Sequence, residues 1–531
     1  MLADRLPRHW VLILLAVVAA LAAAVYARAL QPWGPWAYTD SAAYVDTARH
    51  ILAGEGWLST QSDGRETLLT HYPPGYPALL AGAMALTGGD WIAAGRLLDV
   101  ASLGAFLLLV GWWLYEASSV PCLGLLAMVM LAVSLPTARA FTSLMSEPPF
   151  LVLLAAWLYA LWRHGRGDGE GWRWVAVVLA GAAVLVRYAG LHAGLVVVLA
   201  PLLWGSASLW QRVQRAAANG VVFLLPFAAW MGYARLAGNV PGGFTSPAVW
   251  PRAFGEFLAA TARTFLAALF PHWVHPPYGM VAAFWAAVLA VAVLWVVVWR
   301  RSRKEASPLT LLALLVVLDA LAWFPFLAFM AVFVAPPPVL DFRMYTPAFL
   351  MGLVGGLAAL AAWLLARPRP GPRGVAVLAV AAMLGLALGV KSPQSATHQA
   401  LLTMRYFGEG YTARPWHESM AAGVLHAVAA APPDVPLYSN NWPGVLIWLG
   451  RPALALRELP RYLTWDEAAR RDARLAQWRR EGGVVVLLWQ AGRDRSRLWW
   501  KALLKRGGAF PCRSDAVGAI YCDPQTLESL P

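Results

Sequence analysis

Charged residues are scarce in this chain. Of its 531 residues, 13% are charged and 60% are hydrophobic, and the mean hydropathy is +0.56. A water-soluble globule of this size needs more polar surface than this composition supplies, so that class of protein is excluded. The apolar residues are grouped into runs that are long enough to cross a bilayer as helices. The composition therefore predicts an α-helical, polytopic membrane protein.

Cysteines and the common catalytic motifs are also scarce. The sequence has no P-loop, no G-x-S-x-G elbow and no H-E-x-x-H motif, which argues against a cytoplasmic enzyme driven by nucleotides. Of three cysteines, Cys122 lies in an apolar run, whereas Cys512 and Cys522 flank a predicted turn and returning strand. A hairpin there would allow a disulfide outside the cytoplasm, and two buried, reduced thiols are the alternative.

Long apolar runs predict about eleven transmembrane helices. These runs cover residues 10–30, 93–115, 119–137, 148–162, 173–189, 190–206, 217–236, 279–299, 308–334, 344–366 and 374–390. The first run is interpreted as a retained span, because no small-residue cleavage site clearly follows it. The shorter apolar segment Tyr76 to Thr87 is predicted to be interfacial or re-entrant.

The basic residues indicate how these spans are oriented. A net charge of +14 would suggest a nucleic-acid partner in a soluble protein, but here the basic residues fall mostly into short loops between apolar runs. With the N-terminus in the cytoplasm, these basic loops are cytoplasmic, as the positive-inside rule requires. We therefore expect membrane lipids and no nucleic acid as partners. Composition and short loops suggest a bacterial inner (plasma) membrane.

Two domains are predicted on this topology. Residues 1–391 form the transmembrane domain, whose first extracytoplasmic loop covers 31–92, and residues 392–531 form a small α/β domain on the same, periplasmic or extracellular, side. The segments Pro436 to Ser439 and Gly483 to Trp489 are typical of strands, and Thr464 to Arg480 of a charged helix.

The first loop carries the strongest candidate for chemistry. Its start, Trp36 to His50, is typical of an amphipathic helix on the membrane surface. Asp40 lies at the predicted helix start, where it is either an N-cap or a general base for an acceptor hydroxyl. Asp46 has Arg49 and His50 one turn later, which indicates a local, solvated ion pair.

Further polar residues fall on the same predicted face of the membrane. His71 and Tyr72 precede Pro73 and Pro74, so an extended, rigid segment would hold their side chains in fixed directions, although a simple turn explains the pattern equally well. Glu147 precedes Pro148 at a helix start, where it either stabilises the helix dipole or joins Asp40 in acid–base work or in holding a divalent cation.

Two arginines are predicted at the outer ends of spans, where isolated arginines are disfavoured. Arg343 pairs with Asp341, extends to the headgroups, or binds the phosphate of a lipid substrate. Arg187 either extends to the headgroups or binds that phosphate. His272 and His275 are weak candidates for metal ligands, because no ligand set has a diagnostic spacing. The metal requirement is unknown.

The motifs in their order resemble the GT-C superfamily of integral-membrane glycosyltransferases, in particular the bacterial family 39 branch related to protein O-mannosyltransferases and aminoarabinose transferases. The resemblance covers most of residues 1–390 and rests on the following segments: Tyr38-Thr-Asp40-Ser-Ala-Ala-Tyr44, Tyr72-Pro-Pro-Gly-Tyr-Pro77, Arg96-Leu-Leu, Ser146-Glu147-Pro148, and Arg343-Met-Tyr345 with Pro347.

The resemblance implies inverting transfer of a sugar from a polyprenyl-phosphate donor to an extracytoplasmic lipid, glycan or protein. It implies that Asp40 is the base, that Glu147 is the second acidic residue, and that Arg343 lies near the lipid phosphate. Tyr44, His71, Tyr72, Arg187 and Tyr345 are the expected substrate contacts. The chain departs from the aminoarabinose branch at His71-Tyr72, where that branch has a charged pair. A transporter or flippase of an anionic lipid-linked substrate is the alternative function.

Overall fold

The structure is a computed structural model of the chain. It describes residues 7–204, 208–238, 243–244, 247–269, 278–302, 307–335, 342–365, 396–456, 476–478, 480, 483–488 and 510–522. The predicted span at 374–390, His272, His275, Asp341 and most of the predicted helix at 464–480 lie outside these residues.

Helices dominate the part of the chain before residue 366. In chain order they are α1 (Arg8–Ala29), α2 (Thr39–Leu52), α3 (Gly75–Leu86), α4 (Trp91–Ser118), α5 (Pro121–Ala132), α6 (Leu135–Ala140), α7 (Glu147–Gly165), α8 (Glu170–Val186), α9 (His192–Trp204), α10 (Leu209–Leu236), α11 (Trp250–Leu269), α12 (Tyr278–Ser302), α13 (Pro308–Phe333) and α14 (Phe342–Leu365). Short 3₁₀ turns, Tyr188–Leu191 and Pro247–Val249, precede α9 and α11.

Six helices in the described ranges are long and apolar enough to cross a membrane: α1, α4, α10, α12, α13 and α14. The α-helical polytopic fold is therefore confirmed, whereas the number of eleven spans stays a prediction. The predicted interfacial segment forms α3, which at 12 residues is too short for a perpendicular span.

The structure differs from the prediction in two stretches. The apolar run 119–137 is divided between α5 and α6, because Ser134 caps α6 by accepting a hydrogen bond from the Thr137 backbone N–H, and Pro136 follows in the first turn. The stretch between the predicted spans 217–236 and 279–299 contains the 20-residue helix α11. This helix contacts α12, α13 and α14.

After residue 395 the described chain forms short helices around a five-stranded sheet. The helices are α15 (Ala396–Tyr406), α16 (Arg414–Ala422), α17 (Val424–Ala430) and α18 (Trp442–Leu449). The strands are β5 (Leu437–Ser439), β6 (Leu454–Ala455), β7 (Val484–Leu488), β8 (Phe510–Ser514) and β9 (Gly518–Cys522), in the order β6-β5-β7-β9-β8. Strand β5 pairs parallel to β6 and β7, whereas β9 pairs antiparallel to β7 and β8. The strands predicted at 436–439 and 483–489 are thus present.

Two short antiparallel strand pairs lie outside this sheet. Strands β1 (Leu58–Thr60) and β2 (Glu66–Leu68) pair in the first loop, and β3 (Gly243–Phe244) pairs with β4 (Val334–Ala335).

The C-terminal segment packs directly on the first loop. Arg49 of α2 donates hydrogen bonds to the carbonyls of Leu446 and Ile447 at 2.9 and 2.7 Å. Tyr411 donates its backbone N–H to the Ala37 carbonyl at 2.9 Å. Side chains from both parts belong to one hydrophobic cluster. The first loop therefore joins the two predicted domains, whose boundary at 391 stays a prediction.

The predicted hairpin around the C-terminal cysteines is present as β8 and β9. Cys512 on β8 is disulfide-bonded, and Cys122 is a free, exposed cysteine on α5. The side chain of Cys522 is outside the described part of the chain, so its pairing with Cys512 stays a prediction.

Candidate active site

Asp40 lies in the first turn of α2, with its side chain about one-third exposed. The N-cap position is occupied by Tyr38, whose backbone N–H donates to the Ser41 hydroxyl at 2.9 Å. Ser41 in turn donates to the Leu144 carbonyl at 2.8 Å, which fixes α2 against the segment before α7. The N-cap interpretation of Asp40 is therefore wrong, and its carboxylate is available for other contacts.

Tyr72 donates its hydroxyl to Asp40 Oδ1 at 2.9 Å. The Tyr72 segment packs closely against the end of α8 at Gly75. A Cβ at this glycine would lie only 2.6 Å from the Leu185 carbonyl oxygen. Only glycine permits that approach. The predicted rigid segment thus has a defined task, which is to aim the Tyr72 phenol at Asp40.

Two further tyrosines, Tyr44 and Tyr76, pack behind this contact. The buried Tyr44 ring lies edge-on to both Tyr72 and Tyr76, with ring centroids 4.8 Å apart in each pair. Burial, and then the charge of Asp40, raises the pKa of the Tyr72 phenol. Burial likewise raises the pKa of Tyr44. Tyr72 therefore remains a protonated hydrogen-bond donor to Asp40 across the physiological range.

Arg343 approaches the other oxygen of the same carboxylate. Its Nη1 lies 3.6 Å from Asp40 Oδ2, and both side chains are about one-third exposed. The same nitrogen contacts Met145 Sδ at 3.7 Å. Asp40 is therefore held between a phenol donor and a guanidinium.

Arg187 forms a second, deeper pair with Glu147. The Arg187 Nη1 lies 3.1 Å from Glu147 Oε1, and the glutamate side chain is only 2% exposed. The same arginine donates to Ser146 Oγ at 3.0 Å and to Met344 Sδ at 3.3 Å. The Arg187–Glu147 contact is an ion pair without hydrogen-bond alignment, so neither Glu147 oxygen has a hydrogen bond among the described residues.

The two pairs define an outer and an inner layer of one site. The short segment Met145-Ser146-Glu147 connects them, since Met145 contacts Arg343 and the other two residues contact Arg187. Tyr44 lies within electrostatic range of the carboxylates of both layers. The arrangement offers one accessible carboxylate, one accessible guanidinium and a buried ion pair behind them.

Other predicted site residues have different surroundings. His71 is exposed and lies edge-on to Tyr72, with ring centroids 4.7 Å apart. Tyr345 is buried, and its hydroxyl lies 2.7 Å from that of Thr261 on α11. That contact joins α14 to α11. Their roles as substrate contacts stay predictions.

Asp46 forms the predicted local pair with His50, with 3.8 Å between Oδ1 and Nε2, but the pair is not solvated. Asp46 is buried and accepts a hydrogen bond from the Thr60 backbone N–H at 2.7 Å. Burial raises the pKa of this carboxyl, and the hydrogen bond from Thr60 opposes that effect. Arg49 is directed to α18 instead, as described above. Asp46 therefore fixes β1 to α2.

Several contributors were missed at the sequence level. Ser146 and Met344 contact Arg187, yet neither residue type signals an arginine partner. Asp319 on α13 has no evident partner in the sequence. In the structure its Oδ1 lies 2.8 Å from Nε2 of His192 on α9, in a buried hydrogen bond. The separation of 127 residues explains why no local pattern reveals it.

The two acidic residues of the site both face arginines. Glu147 lies against the Arg187 guanidinium, and Asp40 lies against Arg343. Within the described ranges, no group of three or more His, Cys, Asp or Glu side chains could hold a metal ion. His272 and His275 lie outside these ranges, so their role as metal ligands stays a prediction.

Sequence comparisons and structure comparisons give different outcomes. No family model matches the chain, and no curated protein matches it by sequence. By structure, it is similar to ArnT from Cupriavidus metallidurans bound to undecaprenyl phosphate, with 16% identity, a TM-score of 0.55, and coverage of 95% of this chain and 97% of that one.

Two further solved structures share the fold. The archaeal oligosaccharyltransferase AglB from Archaeoglobus fulgidus, in complex with an inhibitory peptide and a dolichol-phosphate, has 12% identity and a TM-score of 0.52, with coverage of 90% of this chain and 69% of that one. The arabinofuranosyltransferase AftD from Mycobacteria has 17% identity and a TM-score of 0.55, with coverage of 97% and 40%.

These neighbours are GT-C glycosyltransferases. The chain therefore has the GT-C fold, and the resemblance indicated by its motifs is confirmed at the level of the fold.

Proposed function

We propose that the chain is a membrane glycosyltransferase that transfers a sugar from a polyprenyl-phosphate donor to an extracytoplasmic acceptor, with inversion at the anomeric carbon. One observation carries the proposal: Asp40 is partly exposed and lies between the Tyr72 hydroxyl at 2.9 Å and Arg343 at 3.6 Å. The GT-C fold supports it, since one similar structure holds undecaprenyl phosphate and another a dolichol-phosphate.

Asp40 is the proposed general base. The Asp40 carboxylate takes the proton of the acceptor hydroxyl as that oxygen attacks the anomeric carbon. A new glycosidic C–O bond forms on one face, the bond to the phosphate oxygen breaks on the other, and Asp40 ends the step as a neutral acid. Tyr72 orients the carboxylate throughout this step, because its hydroxyl keeps donating to Oδ1.

Arg343 is the proposed partner of the leaving phosphate. Its contact with Asp40 is long and both side chains are partly exposed, so the guanidinium lies within reach of a donor phosphate that enters beside Asp40. A bidentate guanidinium stabilises the charge that grows on the departing phosphate. Arg187 is already engaged by Glu147 and Ser146, so we assign it to positioning the segment 145–147.

We also propose the topology that this chemistry needs. The site faces the periplasmic or extracellular side of a bacterial inner (plasma) membrane, and the N-terminus is cytoplasmic. In that compartment a polyprenyl-phosphate sugar supplies an activated anomeric carbon without nucleotides, and the bilayer presents its phosphate at the membrane rim.

A transporter or flippase remains the second candidate, because the buried His192–Asp319 pair is the kind of ionisable contact found in transport pathways. That pair has a structural explanation, however. His192 Nδ1 donates to the Ala189 carbonyl at 2.8 Å, and the Trp323 ring lies edge-on to the imidazole at 4.4 Å between centroids. The pair therefore fixes α9 to α13.

The test uses the purified full chain in lipid nanodiscs with a polyprenyl-phosphate donor that carries a radiolabelled sugar. We expect release or transfer of the sugar, with stoichiometric formation of polyprenyl phosphate. Proteoliposomes with donor in one leaflet form the second arm. Movement of intact donor between leaflets, without cleavage, would instead establish the transport function.

A further inference from the structure

A basic pocket lies at the far ends of α7 and α8, the helices that begin at Glu147 and end before Arg187. It is a cavity of about 220 Å³ between the C-terminal ends of α7 and α9 and the N-terminal ends of α8, α10 and α13. A second cavity of about 330 Å³ shares Arg173 and Arg215 with it. Helix α7 begins at Glu147 and reaches the pocket 14 to 18 residues later, about 21–27 Å away at 1.5 Å per residue. The pocket is thus distinct from the site of sugar transfer.

Arg173 is held rigidly in this pocket. The residue is buried, its Nε donates to Glu170 at 2.7 Å, and its Nη1 donates to Asn219 Oδ1 at 2.7 Å. Asn219 is itself fully buried and donates to the Val197 carbonyl at 2.8 Å. Neither hydrogen bond of Arg173 uses Nη2. Within the described contacts, this nitrogen therefore remains available as a donor to a ligand.

Arg215 provides a second cation. It makes one ion pair, from Nη2 to Glu170 Oε1 at 3.2 Å, and its side chain is 41% exposed. Glu170 thus serves two arginines at once, so these three side chains leave one uncompensated positive charge. A ligand with one negative charge matches that balance.

The pocket walls identify the source of such an anion. Leu161, Ala200, Leu311 and Leu315 line the cavity one to two turns inside α7, α9 and α13. The cavity therefore extends from the charged helix ends toward the apolar depth of the bundle. A free anion would gain nothing from an apolar wall, whereas a phospholipid would place its phosphate between the arginines and the start of its acyl chain along the wall.

We propose that this pocket binds the phosphodiester headgroup of an anionic phospholipid from the leaflet opposite the candidate active site. This proposal does not depend on the sugar-transfer function. The lipid joins the ends of five helices through contacts that the protein side chains alone leave incomplete.

The test measures phosphatidylglycerol bound to the full chain by native mass spectrometry, after delipidation and titration against neutral phosphatidylcholine. We expect one tightly bound phosphatidylglycerol, and we expect Arg215→Gln to weaken its binding about tenfold, the loss of one charge-assisted contact. Arg301→Gln, at the exposed end of α12, removes the same charge outside the pocket and is the matched control. Ala218→Glu, on the wall of the second cavity, adds a repelling charge without changing either arginine.

Weaker phosphatidylglycerol binding in Arg215→Gln and Ala218→Glu, with wild-type affinity in Arg301→Gln, supports the site. Equal affinity in all four proteins, or an equal loss in the Arg301→Gln control, contradicts it. Displacement of bound phosphatidylglycerol by millimolar inorganic phosphate would assign the pocket to a free anion and overturn the lipid assignment. Each variant is first checked for a monodisperse size-exclusion profile, and Arg215→Lys tests whether charge alone restores binding.

Discussion

The Tyr72 hydroxyl donates to Asp40 Oδ1 across 2.9 Å, from a segment 32 residues further along the chain. This hydrogen bond fixes the direction of the Asp40 carboxylate at the start of α2. Its other oxygen, Oδ2, faces Arg343. Burial and the Asp40 charge raise the pKa of the Tyr72 phenol, so the donor is present across the physiological pH range.

Removal of this donor should slow turnover. Tyr72→Phe deletes the hydroxyl that orients the Asp40 carboxylate and keeps the ring, so we expect kcat to fall about tenfold with little change in the KM for the donor. Steady-state rates of sugar release from the labelled donor measure both constants. A kcat equal to that of the wild type would mean that Tyr72 does not orient the base.

Arg343 should contribute mainly to donor binding. Arg343→Ala removes both the charge and the planar donor geometry, and we expect donor affinity to fall about 10- to 100-fold. Arg343→Lys keeps the charge and should fall between wild type and Arg343→Ala. Arg65→Ala, an exposed arginine of the first loop, is the control. Equal donor affinity in all four proteins would place the phosphate elsewhere.

Arg187 and Glu147 should behave as a buried pair. Arg187→Ala leaves the Glu147 carboxylate buried without its partner, which should destabilise the fold by about 3 kcal/mol. The double variant Arg187→Ala/Glu147→Gln should recover part of that loss, because the remaining side chain is neutral. Thermal unfolding in one detergent compares the three proteins. A double variant that is less stable than Arg187→Ala would exclude the pairing.

His417 should make docking of the C-terminal segment sensitive to acid. Its Nε2 lies 3.0 Å from the Trp33 carbonyl oxygen, and burial lowers the pKa of the imidazole below its ordinary value. The unfolded form, with a pKa of about 6.5, then binds a proton before the packed form does. The stabilisation is therefore full above about pH 6.5 and is lost as the pH falls through the folded pKa.

Hydrogen exchange at Tyr411, whose N–H bonds to Ala37, reports this docking. We expect its protection to decrease between about pH 7.5 and 5 more in wild type than in His417→Gln, which keeps a donor but does not titrate. Exchange rates must first be corrected for the intrinsic pH dependence. Identical corrected profiles for the two proteins would remove His417 from the interface.

Local patterns predicted the helix at Asp40, the rigid segment at Tyr72 and the C-terminal strands, because each depends on residues that are adjacent in sequence. The N-cap interpretation of Asp40 and the solvated interpretation of Asp46 failed for another reason. The burial of Asp46 and the partner of Asp40 come from segments 14 and 32 residues away. Pairing over such distances depends on how the helices pack. Packing likewise decides that His192 meets Asp319.

Turnover of Asp40→Asn tests the central claim most directly. The substitution removes the proton acceptor at nearly constant shape, and Asp63→Asn, in the same loop, is the matched control with a partly exposed carboxylate. We expect Asp40→Asn to reduce release of sugar from the labelled polyprenyl-phosphate donor by about 10²- to 10⁴-fold, with the donor still bound, while Asp63→Asn retains wild-type turnover. Wild-type turnover in Asp40→Asn would contradict the assignment of Asp40 as the base.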